Sequence, residues 1–362
     1  MKRHSATHKK APARPVRRAG PRTLPSKPGP PRDDHRLARS AVIVTHGPFC
    51  LDGIASAVCV GRFYGEARTT PLFTHPSDVD RVIEEATRNS KDPRDLWIAD
   101  ITWKDRRTEE RFRELIRRGW RVFWIDHHSI AVEKDEQEIK SLGLTGWVAS
   151  REFSAARLLY NYMRSAEDLL GKAPAALKRF EEGVLLADDN DRWLHRRRGS
   201  RELALTVAAL GGTSAYRELL HADADLRYSP RMEEAYRRAS RELADSIALA
   251  NRTRLEKSAE DGVKIVAAVC KGYTSEVAEN LRRSLPPDGK PGEPAAILLL
   301  YNLEDQRISL RRTSTCEIDL ARLAGRFGGG GHPAAAGFEL PEARNLLQDY
   351  LTDRLKRALK EP

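Results

Sequence analysis

The sequence has little with which to staple a fold or cross a membrane. Its 362 residues include four cysteines, Cys50, Cys59, Cys270 and Cys316, with no CxxC spacing among them. That argues against a disulfide framework or a structural zinc site and suits a reducing, cytoplasmic setting. No run of about 18 apolar residues occurs, so no membrane partner or helical span is expected. No internal repeat is visible. Net charge is nearly missing from most of the chain. Residues 1–39 carry 12 Lys/Arg against 2 Asp/Glu, a net of +10, and the other 323 residues carry 51 against 50, a net of +1.

The basic segment 1–39 holds seven prolines, few large apolar residues and no periodicity. It cannot bury enough apolar surface to offset the entropy of ordering it, so it reads as disordered. Either it tethers nucleic acid electrostatically or it is a solubilising extension. It lacks the apolar core of a secretory signal. Its arginines suit a transit peptide, but its prolines disfavour the amphipathic helix that a transit peptide needs.

A chain this long predicts two domains. From Ser40, short apolar runs alternate with helical stretches. Ala41–Val44, Asp95–Ala99 and Arg121–Ile125 read as buried strands, with helices over Pro76–Ser90 and Asp105–Arg118 between them. The alternation implies an α/β fold with a parallel sheet over residues 40–200. A helical linker follows over 201–255. A helix there opens at Ser229-Pro230 and carries Met232, Ala235, Ala239, Leu243, Ile247 and Ala250 as one stripe. Strands return at Lys264–Val269, Ala295–Leu300 and Arg307–Leu310, which predicts a smaller α/β domain over 256–362.

Polar clusters close the early strands. His46, Cys50, Asp52 and Gly53 lie on one strand-to-helix loop. Imidazole and carboxylate there suit manganese, whereas a thiolate favours softer ions. Asp100 ends the second strand, either as a helix cap or as a ligand. Asp126-His127-His128 closes the third, where two histidines and an acid are costly to leave without partners. Asp188, Asp189 and Asp191 follow a helical run over Ala173–Leu186 and repel one another unless cations are near; a solvated loop is the alternative. In open parallel sheets, sites form at such carboxyl ends. Further on, Phe327-Gly-Gly-Gly-Gly331-His332-Pro333-Ala-Ala-Ala336-Gly337-Phe338 lets backbone N–H groups approach a phosphate or base.

Taken in order, His46…Asp52-Gly53, Asp100, Asp126-His127-His128 and the Asp188–Asp191 cluster resemble motifs I to IV of the DHH phosphoesterases. The glycine string resembles the GGGH-x-x-AAG motif of their DHHA1 domain, and Ser309-Leu310-Arg311 resembles the strand whose arginine meets the substrate backbone. One departure stands out. The commoner first motif is His-x-x-x-Asp-x-Asp, and Cys50 occupies the place of its first aspartate. That resembles the His-x-x-x-Cys-x-Asp-Gly form of some oligoribonucleases and leaves the first metal site in question.

The resemblance implies a parallel-sheet DHH domain joined by helices to a smaller α/β DHHA1 domain, with substrate held in a cleft between them. It implies two divalent cations, manganese first and magnesium as the alternative. His46 and Asp100 would hold one, with Cys50 nearby. Asp52, Asp100, His127 and a fourth-motif aspartate would hold the other; Asp189 is preferred and Asp191 is the alternative. His128 would face the scissile phosphate, Asp126 would orient a neighbouring histidine, and Gly329, Gly330, Gly331, His332 and Arg311 would bind substrate. The expected activity is hydrolysis of short single-stranded RNA to nucleoside monophosphates. A cyclic-dinucleotide or 3′-phosphoadenosine phosphate hydrolase is the alternative. Outside the enzymes, the alternative is a nucleic-acid-binding protein with an inactive site.

Overall fold

The computed structural model describes residues 39–339, apart from 89, 91, 260, 261 and 286–293, together with residues 353 and 356. Of the expected basic tail, all but Arg39 lies outside the described residues. Two units are distinguished, one reaching to Ser200 and taking up Gly212–Leu226, the other comprising Arg201–Gly211 and the chain from Arg227.

The first unit runs β1 (Ala41–His46), α1 (Leu51–Tyr64), β2 (Thr69–Thr74), α2 (Val79–Arg88), β3 (Asp95–Ala99), α3 (Arg106–Arg117), β4 (Arg121–Asp126), α4 (Ser129–Val132), α5 (Glu136–Ser141), β5 (Gly146–Ala149), α6 (Ala155–Ser165), α7 (Glu167–Leu170), α8 (Ala175–Lys178) and α9 (Glu181–Asp191). Its sheet has the order β2-β1-β3-β4-β5, with every pairing parallel. The three expected strands form its centre, because runs such as Val-Ile-Val and Val-Phe-Trp-Ile can be buried on both faces. On one face Trp97 stacks on Phe123 at 4.1 Å between ring centres. On the other, Trp124 meets Trp103, and both join Val79 and Ile83 of α2 and Phe112 and Leu115 of α3. Edge strand β2 was not expected. Pro71 within it has no N–H to donate, which an edge strand tolerates.

One polar cluster ties the amino ends of the strands together. The buried Asp95 carboxylate accepts from Arg39 Nε at 2.7 Å and from the Tyr64 hydroxyl at 2.6 Å, and also pairs with Arg121. Arg39, the last residue of the expected tail, is therefore anchored to the sheet. The opposite, carboxyl edge carries the motif residues.

The helices of 201–255 are divided between the units. Residues 201–211, nearly all of α10 (Ser200–Leu210), go with the second unit, and α11 (Gly212–His221) goes with the first. The long α12 (Pro230–Thr253) begins where Ser229 Oγ accepts from Met232 N, and the later part of its stripe, Leu243, Ile247 and Ala250, packs on the second sheet. That sheet comprises β6 (Leu255–Ser258), β7 (Lys264–Cys270), β8 (Ala296–Asn302), β9 (Arg307–Arg312), β10 (Gly330–His332) and β11 (Ala335–Glu339), with α13 (Thr274–Arg283) and α14 (Leu320–Gly325) among them. Its order is β10-β11-β9-β8-β7-β6, with only β7 and β8 parallel. The glycine string is therefore an edge hairpin rather than a loop. Among the described residues, no helix is long and apolar enough to cross a membrane.

Candidate metal centre and phosphate pocket

The loop from β1 to α1 sets the first part of the centre. Gly53, in the first turn of α1, lies so close to β1 that a β-carbon there would meet the His46 carbonyl oxygen at 1.9 Å. Only glycine permits this approach, and it holds Cys50 and Asp52 next to the strand end. Cys50 caps α1, its sulfur accepting from Gly53 N at 3.5 Å while donating to Asp100 Oδ2 at 3.3 Å. The buried Asp52 accepts from Ala155 N at 2.8 Å and Ala156 N at 3.0 Å, so it also anchors the amino terminus of α6.

Asp100 follows β3 with a φ of 59°, a left-handed conformation uncommon for any residue but glycine. That turn places its two oxygens in different surroundings. Oδ2 lies 3.6 Å from His46 Nδ1 and beside Cys50. Oδ1 lies 3.3 Å from His127 Nε2. His127 Nε2 is also 3.5 Å from Asp191 Oδ2 and 3.9 Å from Asp52 Oδ2. The donors therefore form a His46–Cys50–Asp100 group and an Asp52–His127–Asp191 group, each with its donor atoms within 4.8 Å of one another. Asp100 stands at both.

Asp126 is buried at the end of β4, and with Asp100, His127 and His128 it forms a third set of donor atoms within 4.8 Å of one another. It accepts from Thr102 Oγ1, from the N–H groups of His127 and His128, and contacts His128 Nδ1 at 2.8 Å. These bonds fix the His128 imidazole. Burial would lower the His128 pKa, but Asp126 and Asp100 outweigh it and raise it.

The fourth cluster differs most from expectation. The helix run expected to end at Leu186 is broken into α8 and α9, and α9 continues through Asp191. The three aspartates are thus fixed on a helix end, and each has a separate partner. Asp188 accepts from Ser154 N and pairs with Arg157 at 2.7 Å. Asp189 accepts from Arg196 N at 2.9 Å and Arg197 N at 3.2 Å, which folds the following segment back on the helix. Asp191 alone of the three joins the donors. The preference for Asp189 is therefore not matched by the geometry, because Asp191 and not Asp189 brings a carboxylate oxygen to His127 Nε2 and into the group with Asp52. Thr102, Ser154 and the α6 N–H groups also support the centre, and nothing in their sequence context marks them.

The electrostatics match a centre short of positive charge. Burial and the charges on Asp100 and Asp191 push the Asp52 carboxyl up, and burial with Asp100 pushes Asp191 up to about 6. Burial would depress His127, but Asp100 at 3.3 Å and the charges on Asp191 and Asp52 push it up to about 10. Burial also opposes ionisation of Asp100, yet the imidazoles of His127, His46 and His128 hold it well below the usual carboxylate range. Burial and the same three carboxylates push the Cys50 thiol up. Asp100 Oδ1 and His127 Nε2 are buried without an aligned hydrogen-bond partner, an arrangement that is costly unless something else binds them. This donor set fits divalent cations.

In the second unit, a pocket of about 380 Å³ collects Arg311, Gly330, Gly331, His332, Thr274 and Asn302. The Arg311 guanidinium donates to Ser309 Oγ, the Leu310 carbonyl and Ser275 Oγ, all within 3.1 Å. Burial lowers its pKa against the pull of Glu276. The hairpin is held by Phe327 stacked on Phe338 at 4.6 Å. Gly329 and Gly331 are required by packing, since a β-carbon would meet backbone at 2.2 Å and 2.6 Å. Gly330 has open space instead, and it lines the pocket.

Several known proteins are similar to this chain. Residues 262–361 match the family model of the DHHA1 domain. The chain is 25% identical over 312 residues to the oligoribonuclease NrnB of Bacillus subtilis (strain 168), spanning 81% of this chain and 71% of that protein. A solved structure described as the DHH domain of a member of a ribosomal-protein family shares the fold. It has a TM-score of 0.61 at 14% identity and covers 89% of this chain and 88% of that one. A manganese-bound RecJ exonuclease aligns with a TM-score of 0.49 at 19% identity, over 84% of this chain and 87% of its own.

Proposed function

We propose that this chain, which is related to the DHH–DHHA1 phosphoesterases, is a metal-dependent phosphodiester hydrolase that degrades short single-stranded RNA to nucleoside monophosphates. The observation that carries the reading is Asp100, whose two oxygens serve two separate donor groups at one sheet edge. His46, Cys50 and Asp100 would hold one divalent cation, and Asp52, His127, Asp191 and Asp100 the other. Oxygen and imidazole donors favour manganese or magnesium at the second group. Such a pair of ions supplies an activated water and charge neutralisation at the phosphate and its leaving oxygen.

The residues around the donors have distinct work. Asp126 holds Nδ1 of His128, which fixes the ring for contact with a phosphate oxygen and raises its basicity. Asp52 binds α6 through its N–H groups, so the donor cannot swing away. Arg311 and His332 give the second pocket a guanidinium and an imidazole for a nucleotide phosphate. The likeness to an oligoribonuclease over most of the chain supports a short RNA substrate.

A manganese-supplemented assay on di- to pentanucleotides, cyclic dinucleotides, 3′-phosphoadenosine phosphate and single-stranded DNA tests the proposal. Release of nucleoside monophosphates from short RNA is expected. Preference for a cyclic dinucleotide or for 3′-phosphoadenosine phosphate would replace the substrate assignment. No manganese-dependent turnover of any of them would overturn the enzyme reading.

A further inference from the structure

Resting on the phosphodiesterase reading, we infer that the segment Arg192–Gly199 is a built platform for single-stranded nucleic acid, with Trp193 stacking on a base and its arginines taking backbone phosphates. The segment leaves α9 directly after Asp191, whose carboxylate is 3.5 Å from His127 Nε2. Anything bound on it therefore lies next to the donor cluster. It contains Arg192, Arg196, Arg197 and Arg198 with no acidic residue among them.

A basic run is ordinarily a solvated face, but this one is held rigidly. Asp189 accepts from Arg196 N and Arg197 N through its carboxylate, and its carbonyl oxygen accepts from Leu194 N at 2.9 Å. Trp193 and His195 have φ values of 55° and 48°, a conformation that costs energy for such residues and persists only where surroundings impose it. Within this fold-back Trp193 remains 40% exposed, with its ring edge-on to His195 at 4.4 Å. An exposed indole fixed beside a reaction centre offers a sequence-tolerant stacking surface, because every base has a π-face.

The charges are only partly cancelled locally: five arginines, Arg157, Arg192, Arg196, Arg197 and Arg198, face four acids, Glu182, Asp188, Asp189 and Asp191, a net of +1. Arg157 and Arg192 both approach Asp188, at 2.7 Å and 3.6 Å, which leaves one positive charge in excess. Their guanidiniums also lie over Phe153, at 3.9 Å and 5.9 Å from its ring centre. Arg197 pairs with Glu182, while Arg196 and Arg198 are exposed. An exposed indole with two exposed arginines on the same segment matches a strand that presents bases and phosphates alternately. Duplex hides its base faces and would not use the indole.

The test uses the full chain with three variants. Trp193→Asn removes the ring while keeping a residue that tolerates the φ of 55°, Trp193→Phe retains an aromatic plane, and the third is the double Arg196→Ala/Arg198→Ala. Binding of a fluorescein-labelled five-nucleotide RNA is read by anisotropy in EDTA, where turnover is blocked. Trp193→Asn should weaken binding roughly five- to hundredfold, and Trp193→Phe by much less. The double arginine variant should reduce the slope of log affinity against log salt by about 0.7 for each phosphate no longer neutralised. With manganese, the ratio of kcat/KM on the pentanucleotide to that on bis(4-nitrophenyl) phosphate should fall in parallel. Wild-type binding and salt slope in folded Trp193→Asn and double arginine variants would overturn the platform, as would equal losses on both substrates. Wild-type protein that hydrolyses neither substrate would instead defeat the phosphodiesterase reading, and the EDTA binding data would still judge the platform.

Discussion

Asp100 Oδ1 and His127 Nε2 lie 3.3 Å apart, both buried and neither with an aligned hydrogen-bond partner. Folding brought them out of water as a close charged pair in poor hydrogen-bond alignment, an arrangement a cation between them would complete.

Asp100→Asn should therefore separate function from stability. Asparagine tolerates the φ of 59°, so the turn after β3 is kept without added strain. Manganese-dependent turnover should fall by at least roughly a thousandfold, because both donor groups lose their shared carboxylate. In EDTA, Asp100→Asn loses the favourable interactions of the carboxylate with His127, His46 and His128, and the relieved repulsion with Asp52 and Asp191 offsets only part of that, so Tm should fall modestly while the fold is kept. Retained turnover, or a variant that melts far below wild type in EDTA, would contradict the shared-ligand assignment.

Metal uptake should release protons. Without a cation His127 is pushed up to about 10 and Asp191 up to about 6, so at neutral pH the imidazole is protonated. Ligation requires the neutral imidazole and the ionised carboxylate, so lowering pH opposes binding. Between pH 8 and pH 6 manganese affinity should drop by about tenfold per unit for each proton displaced. Calorimetry in buffers of different ionisation enthalpy measures that proton count directly, and a count of zero would remove His127 from the ligand set.

Cys50→Asp tests the departure in the first motif. The thiol is buried among Asp100, Asp191 and Asp52, which push its pKa up and make it a weak donor to a hard cation. A carboxylate in its place should tighten manganese binding at the His46 group by roughly tenfold, because added ligand charge favours hard cations. The opposite result, looser manganese with the aspartate, would mean that the sulfur is itself the better ligand.

Much of this arrangement was legible because the central strands are continuous apolar runs that end in polar clusters. β1, β3 and β4 could be read directly, and their ends fixed His46, Asp100 and Asp126 on one sheet edge. β2 escaped notice because Pro71 and its threonines weaken the strand pattern, and β10 because glycines carry no pattern at all. The choice between Asp189 and Asp191 depended on where α9 ends. With the helix carried through Asp191, Asp189 and Asp191 lie two residues apart, about 200° around the helix, and so point to nearly opposite sides. No rule applied to the acidic run alone could have separated them. The capping of α6 by Asp52 was likewise hidden, since it links residues 103 positions apart.

Gly330→Val probes the pocket of the second unit with the least risk to the fold. Gly329 and Gly331 meet neighbouring backbone, so side chains there would disrupt the hairpin itself. At Gly330 nothing lies within 4 Å of an added β-carbon, and the residue lines the same pocket as Arg311 and His332, so a larger side chain there is expected to obstruct substrate without disturbing the backbone. The variant should fold with nearly unchanged Tm and bind manganese at the same midpoint. Its KM for a trinucleotide should rise by roughly tenfold or more while kcat changes less, as expected when ground-state binding is obstructed. Arg311→Ala should act in the same direction by removing the guanidinium held by Ser309 and Ser275. Steady-state kinetics with parallel metal titrations separate the cases. A loss confined to kcat, or a shifted manganese midpoint, would place the hairpin's influence on the chemical step rather than on substrate binding.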